Sequence, residues 1–410
     1  MLRLQYFILA TGIIIFLSLC IAAFDVDSSN GSEQDKGNWI GAWTASMQQP
    51  GEDGVSKQGF EDQTIRMIIK PNMDGKKLRI RMANTFNSDS LTIEEVHVAR
   101  VKTGAETVSG SDKQVTFEGD QKVTIPAGNR TFSDPIPFNV KSDEKLAVSI
   151  YVKEKSGPAT WHPRSMQTNY ISEPGNHSSN TDDKAFKKKE DAWFWMDGID
   201  VIPDTKVDGS VVVLGSSIAN GNHSKMDADH RWPDFLAKRF NEESETKMSV
   251  LNAGVSANHL INSSSDKGEN AFARLEQDVF SQTGVKAVIL NQGLNDIRHH
   301  PEYDSDKIIE RMQEIIDASH DKGLKIYGGT LTPFKGSGMY TPEKENTRQE
   351  VNEWIRNSGA FDGVIDFDKA LRDQDDPARY NPKYDAGDHL HPNDDGYKRM
   401  AEIVDLSKFN

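Results

Sequence analysis

The sequence predicts an all-β sandwich followed by an α/β domain that contains a parallel sheet. In the first half, short stretches alternate apolar and polar residues and are separated by Gly, Pro, Asn and Asp, as in antiparallel β domains. In the second half, short apolar runs alternate with amphipathic helical patterns, as in successive βα units. We therefore expect a β-sandwich domain over residues 38–205 and an α/β domain over residues 206–410.

Charge and cysteine content exclude several classes of protein. The 410 residues include 48 Lys and Arg against 63 Asp and Glu, which gives a formal net charge of −15. Nucleic-acid-binding surfaces need clustered positive charge, so we expect no nucleic-acid partner. Cys20 is the only cysteine. An internal disulfide and a cysteine metal site are therefore excluded.

Residues 1–24 have the features of a signal peptide. Arg3 supplies the positive charge, an almost unbroken apolar run follows, and Ala22 and Ala23 precede polar sequence. The same segment is long enough to remain as an N-terminal membrane anchor. In either case we expect a secreted or extracytoplasmic protein that contacts a membrane only through this segment, if it is uncleaved. The polar residues 25–37 are expected to form a flexible linker.

The predicted β-sandwich rests on strands with a period of two residues. Thr64–Lys70 and Lys77–Met82 alternate apolar and polar side chains, and the turn-forming segment Pro71–Gly75 separates them. Lys145–Val152 continues the pattern. Residues 176–190 are polar and charged, and we expect them to form an exposed loop.

In the predicted α/β domain, strands and helices alternate along the chain. The sequence indicates strands near residues 211–214, 248–253, 286–290, 324–330 and 363–367, and helices near residues 232–240, 272–280, 307–320, 343–357 and 396–406. Ligand sites of such sheets lie beyond the carboxyl ends of the parallel strands. Residues that carry chemistry should therefore follow strands.

Three segments of polar or small residues follow predicted strands, and a fourth lies in the loop before the last predicted helix. Ser217 stands on a strand-to-helix turn, where backbone N–H groups point at developing negative charge. A loop of small residues around Ala257 allows close backbone approach, and the Asn295 amide can donate to an oxyanion. Asp388 precedes His391 by three residues and can hold one nitrogen of its ring. Taken alone, the segments with Ser217, Ala257 and Asn295 are better explained as ordinary turns or loops, and the last segment is also consistent with an inert surface loop.

Taken together and in this order, the segments resemble the SGNH hydrolase superfamily, also called GDSL-type esterases and lipases. The resemblance is to two-domain secreted members, and it includes Trp39–Trp43 and Gly157–Pro163, so that it spans residues 38–406. It implies a flavodoxin-like three-layer α/β/α hydrolase domain. It also implies that no metal and no cofactor take part.

The resemblance assigns a role to each site residue. Ser217 would be the nucleophile, His391 the general base and acid, and Asp388 the group that orients His391. The oxyanion hole would consist of the backbone N–H groups of Ser217 and Ala257 and the side-chain amide of Asn295.

The sequence departs from the family pattern in three places. Ser216 stands where the family has Asp, Ala219-Asn220 replaces Thr-Asp, and Ala257 occupies a position that is usually Gly. An amide donor survives at Ala257 if its backbone torsions suit alanine. Ser216 does not replace the charge of the lost carboxylate, so a weakened catalyst is one possible consequence.

We expect a secreted serine ester hydrolase that cleaves short acyl esters through an acyl-enzyme, with acetylated glycans as the leading candidate substrates. One alternative is a glycan-binding protein whose hydrolase domain has decayed, and another is an O-acyltransferase with the same triad. The segment that contains Asp388 and His391 could alternatively bind a metal through Asp388, His389 and His391.

Overall fold

The computed structural model describes residues 37–409. The expected signal peptide or anchor and residues 25–36 of the expected linker lie outside the described residues. Within residues 37–409, no helix is long and apolar enough to cross a membrane. The described residues belong to one compact unit, and the division between residues 205 and 206 stays a prediction.

Antiparallel strands dominate residues 37–203, where the sequence predicts a sandwich. The elements are β1 (Ile40–Thr44), α1 (Gly54–Gln58), β2 (Gln63–Ile69), β3 (Gly75–Ala83), β4 (Leu91–Ile93), β5 (Glu95–Thr103), β6 (Glu106–Thr107), β7 (Lys113–Val115), β8 (Val123–Ile125), β9 (Arg130–Phe132), β10 (Ile136–Val140), β11 (Leu146–Val152), β12 (Trp161–Pro163), β13 (Asn169–Pro174), β14 (Phe186–Glu190), β15 (Ala192–Phe194) and β16 (Met196–Pro203). One sheet has the order β1-β16-β3-β10, with β9 added on β3. The other has the order β14-β13-β2-β11-β5-β6, with β7 added on β5.

The period-two pattern explains why the two sheets pack together. Ile65 and Met67 of β2 and Ile80 and Met82 of β3 belong to one fully buried apolar cluster, although β2 and β3 lie in different sheets. Alternate side chains of each strand therefore face a common core, as in a β-sandwich. The fold class expected for this half of the chain is confirmed.

The expectation of a loop over residues 176–190 is wrong at its end. Phe186–Glu190 forms β14, which pairs with β13 at the edge of the larger sheet. Phe186 is buried, whereas Lys187, Lys188 and Lys189 are exposed. Charged residues are common on edge strands because they discourage pairing with other chains, and this charge made the strand look like a loop.

A parallel five-stranded sheet forms the second half of the described chain. Its strands are β17 (Gly209–Gly215), β18 (Met248–Gly254), β19 (Val285–Asn291), β20 (Lys325–Gly329) and β21 (Gly363–Ile365), in the order β18-β17-β19-β20-β21. The helices are α2 (Ser217–Asn220), α3 (Trp232–Glu243), α4 (Leu294–His299), α5 (Ser305–Asp321), α6 (Pro342–Asn357), α7 (Phe367–Leu371) and α8 (Asp394–Glu402), with a π-helix at Glu276–Phe280 and a 3₁₀-helix at Leu406–Phe409. This strand order is that of flavodoxin-like folds.

Successive side chains of the parallel strands enter two separate cores. Val211 and Val213 of β17 pack in one apolar cluster, and Val212 and Leu214 pack in another. Strands that are buried on both faces read as continuous apolar runs, as β17 does. The sheet therefore forms the middle layer of an α/β/α arrangement, which confirms the predicted fold class.

The helix expected over residues 272–280 differs from the structure. Regular helix is confined to the π-helix Glu276–Phe280, and turns precede it. Arg274 lies in those turns and is buried at 4% exposure. Single π turns often accompany functional sites, where long-range contacts override local helical preference.

The antiparallel half bonds directly to the edge of the parallel sheet. The Gly41 N–H of β1 donates to the Thr283 carbonyl at 3.1 Å, and the Ser249 hydroxyl of β18 donates to the Gly41 carbonyl at 2.5 Å. The Asn72 side chain donates to the Val250 carbonyl of β18 at 2.5 Å. Strand β18 therefore has polar partners from the antiparallel half along its outer edge.

Candidate active site

Three carboxyl strand ends meet at one level of the parallel sheet. Gly215 of β17 is in register with Gly254 of β18 on one side and with Asn291 of β19 on the other. A Cβ on Gly254 would lie 2.2 Å from the Asn220 backbone nitrogen, so glycine is required for α2 to approach β18 this closely. The loops that carry Ser217, Ala257 and Asn295 consequently start side by side.

Ser217, His391 and Asp388 form a connected set of side chains at these strand ends. Nε2 of His391 lies 2.8 Å from Oγ of Ser217, and Nδ1 of His391 lies 2.6 Å from Oδ2 of Asp388. A neutral imidazole with its proton on Nδ1 donates to Asp388 and leaves Nε2 free to accept the serine proton. The structure thus brings together the three residues that the resemblance assigned to a triad.

The Asp388 carboxylate is held ionised by its surroundings. Its Oδ1 accepts backbone N–H groups from Leu390 at 3.0 Å and from His391 at 2.9 Å. Burial raises the pKa of Asp388, but the hydrogen bonds from the His391 side chain and these backbone groups outweigh it and hold the pKa well below its usual range. The carboxylate can therefore orient His391 across the whole neutral and mildly acidic range.

The turn from β17 into α2, residues 215–220, carries the expected nucleophile and is here called the nucleophile turn. Its residues Ser216 and Asn220 stand where the family has carboxylates. Ser216 is the N-cap of α2 and makes no side-chain capping hydrogen bond. The Asn220 amide donates to the Arg164 carbonyl at 2.8 Å and to Asn222 Oδ1 at 2.9 Å. The Asn220 side chain is thus committed to groups other than Ser216, although the Asn220 N–H donates to the Ser216 carbonyl at 2.8 Å.

The three expected oxyanion donors differ in how they are held. Ser217 N–H starts α2, and neither this N–H nor that of Ala257 has an acceptor among the described residues. Ala257 has a φ of 59°, in the left-handed region that glycine adopts more easily. The Asn295 side chain donates to the Asn258 carbonyl at 3.0 Å and accepts from Arg298 at 3.1 Å. A primary amide has two N–H bonds, so one N–H of Asn295 remains for a ligand.

Arg274 ties these loops to one another, and nothing in its sequence context marked it as a site residue. Its Nη2 donates to the Gly215 carbonyl at 2.8 Å, and its Nη1 donates to the Ala253 carbonyl at 2.7 Å. Its Nε donates to Oδ1 of Asn258 at 3.2 Å, and Asp278 balances its charge at 2.9 Å. One planar guanidinium therefore fixes the nucleophile turn relative to the loop that carries Ala257.

His162 of the antiparallel half also reaches the nucleophile turn, and sequence reasoning missed it. Its Nε2 lies 2.8 Å from Oδ1 of Asn220, and its Nδ1 lies 2.7 Å from the Ser46 carbonyl. The ring is buried at 2% exposure, and burial lowers its pKa. His162 lies within Gly157–Pro163, which is part of the family resemblance, but the resemblance assigned it no role.

His389 is not part of the cluster, contrary to the metal alternative. Its Nδ1 lies 2.5 Å from Oδ2 of Asp385. Among the described residues, the three groups close enough to share an ion are instead His223, Asp388 and His391. The His223 ring stacks on that of His391 with centroids 5.0 Å apart, and its Nε2 lies 3.4 Å from Asp388. Two members of that set, Asp388 and His391, are already hydrogen-bonded to each other.

The position of the cluster follows from the class of fold. The sheet is a doubly wound parallel sheet whose strand order reverses between β17 and β19, and ligand sites of this class lie at such a reversal. Ser217 follows β17 and Asn295 follows β19. The polar cluster therefore lies where proteins with this class of fold have their ligand sites.

Comparisons with known proteins give one family match. Residues 213–399 match the GDSL-like Lipase/Acylhydrolase family, which supports the SGNH hydrolase superfamily for this region. The resemblance seen in the sequence is thereby confirmed. Family membership supports a hydrolase of ester substrates.

Several solved structures are similar to part of the chain. A GDSL-like lipase from Bacteroides thetaiotaomicron is 17% identical over 49% of this chain and 88% of its own, with a TM-score of 0.36. A lipolytic protein of the G-D-S-L family from Veillonella parvula is 19% identical over 47% and 94%, with a TM-score of 0.35. The M. smegmatis aryl esterase is 13% identical over 47% and 95%, with a TM-score of 0.38. No curated protein matches the chain.

Proposed function

We propose that this protein is a serine ester hydrolase with Ser217 as nucleophile. The observation that carries the proposal is the His391 ring, whose two nitrogens lie 2.8 Å from Ser217 Oγ and 2.6 Å from Asp388 Oδ2. A serine hydroxyl is a weak nucleophile until an adjacent base accepts its proton, and this geometry provides that base.

The arrangement supports a two-step mechanism. Ser217 Oγ attacks the ester carbonyl while His391 Nε2 takes its proton, and Asp388 stabilises the resulting imidazolium. The tetrahedral oxyanion accepts hydrogen bonds from the N–H groups of Ser217 and Ala257 and from the Asn295 amide. His391 then protonates the leaving alcohol, and water attacks the acyl-enzyme in the same way. No step calls for a metal or a cofactor.

Short acyl esters are the proposed substrates, with acetylated glycans as the leading candidates. The support is an analogy: an export-like segment and an appended β-sandwich are typical of enzymes that act on extracellular polymers. Secretion or N-terminal anchoring is likewise a proposal. Release of acetate from acetylated xylan, compared with hydrolysis of p-nitrophenyl acetate, tests the glycan preference. Fractionation of the producing cells tests the location.

The decisive experiment combines turnover with labelling of the nucleophile. We expect the full chain to hydrolyse p-nitrophenyl acetate and to take up one fluorophosphonate group on Ser217, detected by peptide mass. A decayed, glycan-binding protein would show neither, and such a result would refute the proposal. An O-acyltransferase would instead transfer acetyl to an added alcohol faster than to water.

A further inference from the structure

Arg298 lies beside the proposed oxyanion donor Asn295, one helical turn further along α4. Its Nη1 donates to Oδ1 of Asn295 at 3.1 Å. Since the same amide offers a free N–H to the oxyanion, ordinary hydrogen-bond lengths place the guanidinium within about 8 Å of that oxyanion. The side chain is therefore within reach of a substituent on the substrate.

The guanidinium of Arg298 forms no close ion pair among the described residues. Burial lowers its pKa, and the more distant Asp388 carboxylate only partly offsets this effect. The Nε of Arg298 is buried and has no hydrogen-bond partner, and among residues 37–409 no carboxylate lies within 4 Å of it. The buried arginines Arg274 and Arg348 differ, because Asp278 balances the first, and Glu345 and Asp368 balance the second. A buried donor without an acceptor is rare in folded proteins and calls for an explanation.

The surroundings of Arg298 add positive charge. The Lys344 ammonium donates to the Arg298 carbonyl at 2.8 Å and has no carboxylate within 4 Å among the described residues. Burial lowers the pKa of His299 to about 4, and the charges of Arg298, Lys267 and Lys344 contribute to this shift. Arg298, Lys267 and Lys344 thus place several positive charges beside the Asp388 carboxylate on this side of the site, in a protein whose formal net charge is −15.

We propose that Arg298 binds an anionic group of the substrate, so that the enzyme prefers esters that carry a carboxylate near the scissile bond. The proposal rests on the proposed esterase function. The outer nitrogens of a guanidinium donate to carboxylates, and Nη2 of Arg298 has no acceptor among the described residues. The reach of the side chain suits a carboxylate about two to four carbon atoms from the ester carbonyl, in either the acyl or the alcohol part.

Two pairs of esters distinguish the acyl part from the alcohol part. Monomethyl glutarate against methyl hexanoate places the charge in the acyl part, and 3-acetoxybenzoate against 3-methylphenyl acetate places it in the alcohol part. We expect the wild-type kcat/KM to favour the anionic member of one pair. Arg298→Met should lower the kcat/KM of that member at least tenfold more than that of its neutral partner. The ratio separates recognition from any general effect through Asn295, which both esters feel equally.

Two further variants serve as controls. Arg298→Lys should retain part of the preference, since it keeps the charge and loses the paired N–H groups. Arg311→Met removes one positive charge from a surface pair with Glu314 and should leave the ratio unchanged. Equal loss on both esters in Arg298→Met, or no preference for the anion in the wild type, would overturn the proposal. Absence of hydrolysis of every ester would instead refute the esterase function itself.

Discussion

Nε2 of His391 lies 2.8 Å from Oγ of Ser217, although 174 positions separate the two residues in the chain. Ser216, the immediate neighbour, is the N-cap of α2 and makes no side-chain capping bond. The adjacent serines could not be distinguished by spacing alone, and the contact with His391 favours Ser217 as the nucleophile.

We predict that Ser217→Ala lowers kcat for p-nitrophenyl acetate by about 10⁴-fold or more, because the base is left without a nucleophile. Ser216→Ala should retain most of the activity. Both variants should unfold within a few degrees of the wild type, measured by calorimetry. A dead Ser216→Ala alongside an active Ser217→Ala would move the nucleophile by one residue.

Replacement of His391 should be more harmful than replacement of Asp388. His391→Ala removes the proton acceptor, whereas Asp388→Asn removes only the orienting charge, so we expect the second loss of kcat to be about ten- to a hundredfold smaller. Prolonged dialysis against a chelator should leave the activity unchanged. Loss of activity on chelation, with recovery on adding one metal, would favour a metal held by His223, Asp388 and His391.

Arg274→Lys should lower kcat by about 10²-fold with a smaller change in KM, because one ammonium does not bond to Gly215, Ala253 and Asn258 together. Arg348→Lys is the matched control, since Arg348 is also buried and ion-paired but bonds to Leu331, Glu345 and Asp368 instead. The control should lose stability without losing kcat per folded molecule. Equal kinetic effects in both variants would show that Arg274 acts on stability alone.

Ser216→Asp should fail to raise kcat, even though it restores the family residue. Arg274 already holds the Gly215 carbonyl, and a carboxylate at this position, which is 9% exposed, would be largely desolvated. Steady-state kinetics decide the question. A higher kcat at constant KM would mean that the native turn is loose and that the lost carboxylate had steadied it.

The histidine pair beside the Ala257 loop should make stability depend on pH. Nε2 of His259 lies 2.9 Å from Nδ1 of His299, and burial lowers the pKa of each to about 4. The unfolded chain binds these protons near pH 6.5, so stability should fall as the pH drops from 6.5 towards 4. His259→Asn should reduce that loss between pH 7 and 5 by about 1 kcal/mol, since it removes one of the two histidines that the unfolded chain protonates first.

Urea unfolding at the two pH values measures this effect, and His97→Asn provides the opposite control. Burial lowers the pKa of His97, but the hydrogen bonds with Asp112 and Glu95 outweigh it and raise the pKa. His97 therefore stabilises the fold below pH 6.5 and loses this contribution as the pH rises through its folded pKa. Its removal should increase the loss on acidification. Identical pH dependence in both variants would contradict the assignment.

The fold class could be predicted from the sequence because it depends on local patterns of apolar and polar residues. The continuous apolar run of β17 and the amphipathic period of α5 both reflect burial, and burial is what the sheet and its helices require. Ser217 was a candidate because it follows a predicted parallel strand, whereas Asp388 and His391 lie in a loop before the last helix and were assigned by the family resemblance. Strand β14 was missed because its three exposed lysines concealed an edge strand with a single buried aromatic residue.

The residues that support the site were beyond sequence reasoning. Arg274 donates to the backbone carbonyls of Gly215 and Ala253. Every residue has a backbone carbonyl, so the sequence does not indicate which ones accept a side-chain hydrogen bond. The left-handed φ of Ala257 is set by the surrounding loop and not by alanine itself. The Nε of Arg298 is buried without an acceptor, and no sequence pattern around Arg298 indicates this.

The His162–Asn220 contact limits how freely the two halves of the chain can be recombined. A β-sandwich attached by a tether can be exchanged for another without disturbing the enzyme that it accompanies. Here the first half contributes an imidazole to the residue that ends α2, together with the Arg164 carbonyl. A chimaera with a foreign first half would need to recreate both partners of Asn220 before its nucleophile turn had the native surroundings.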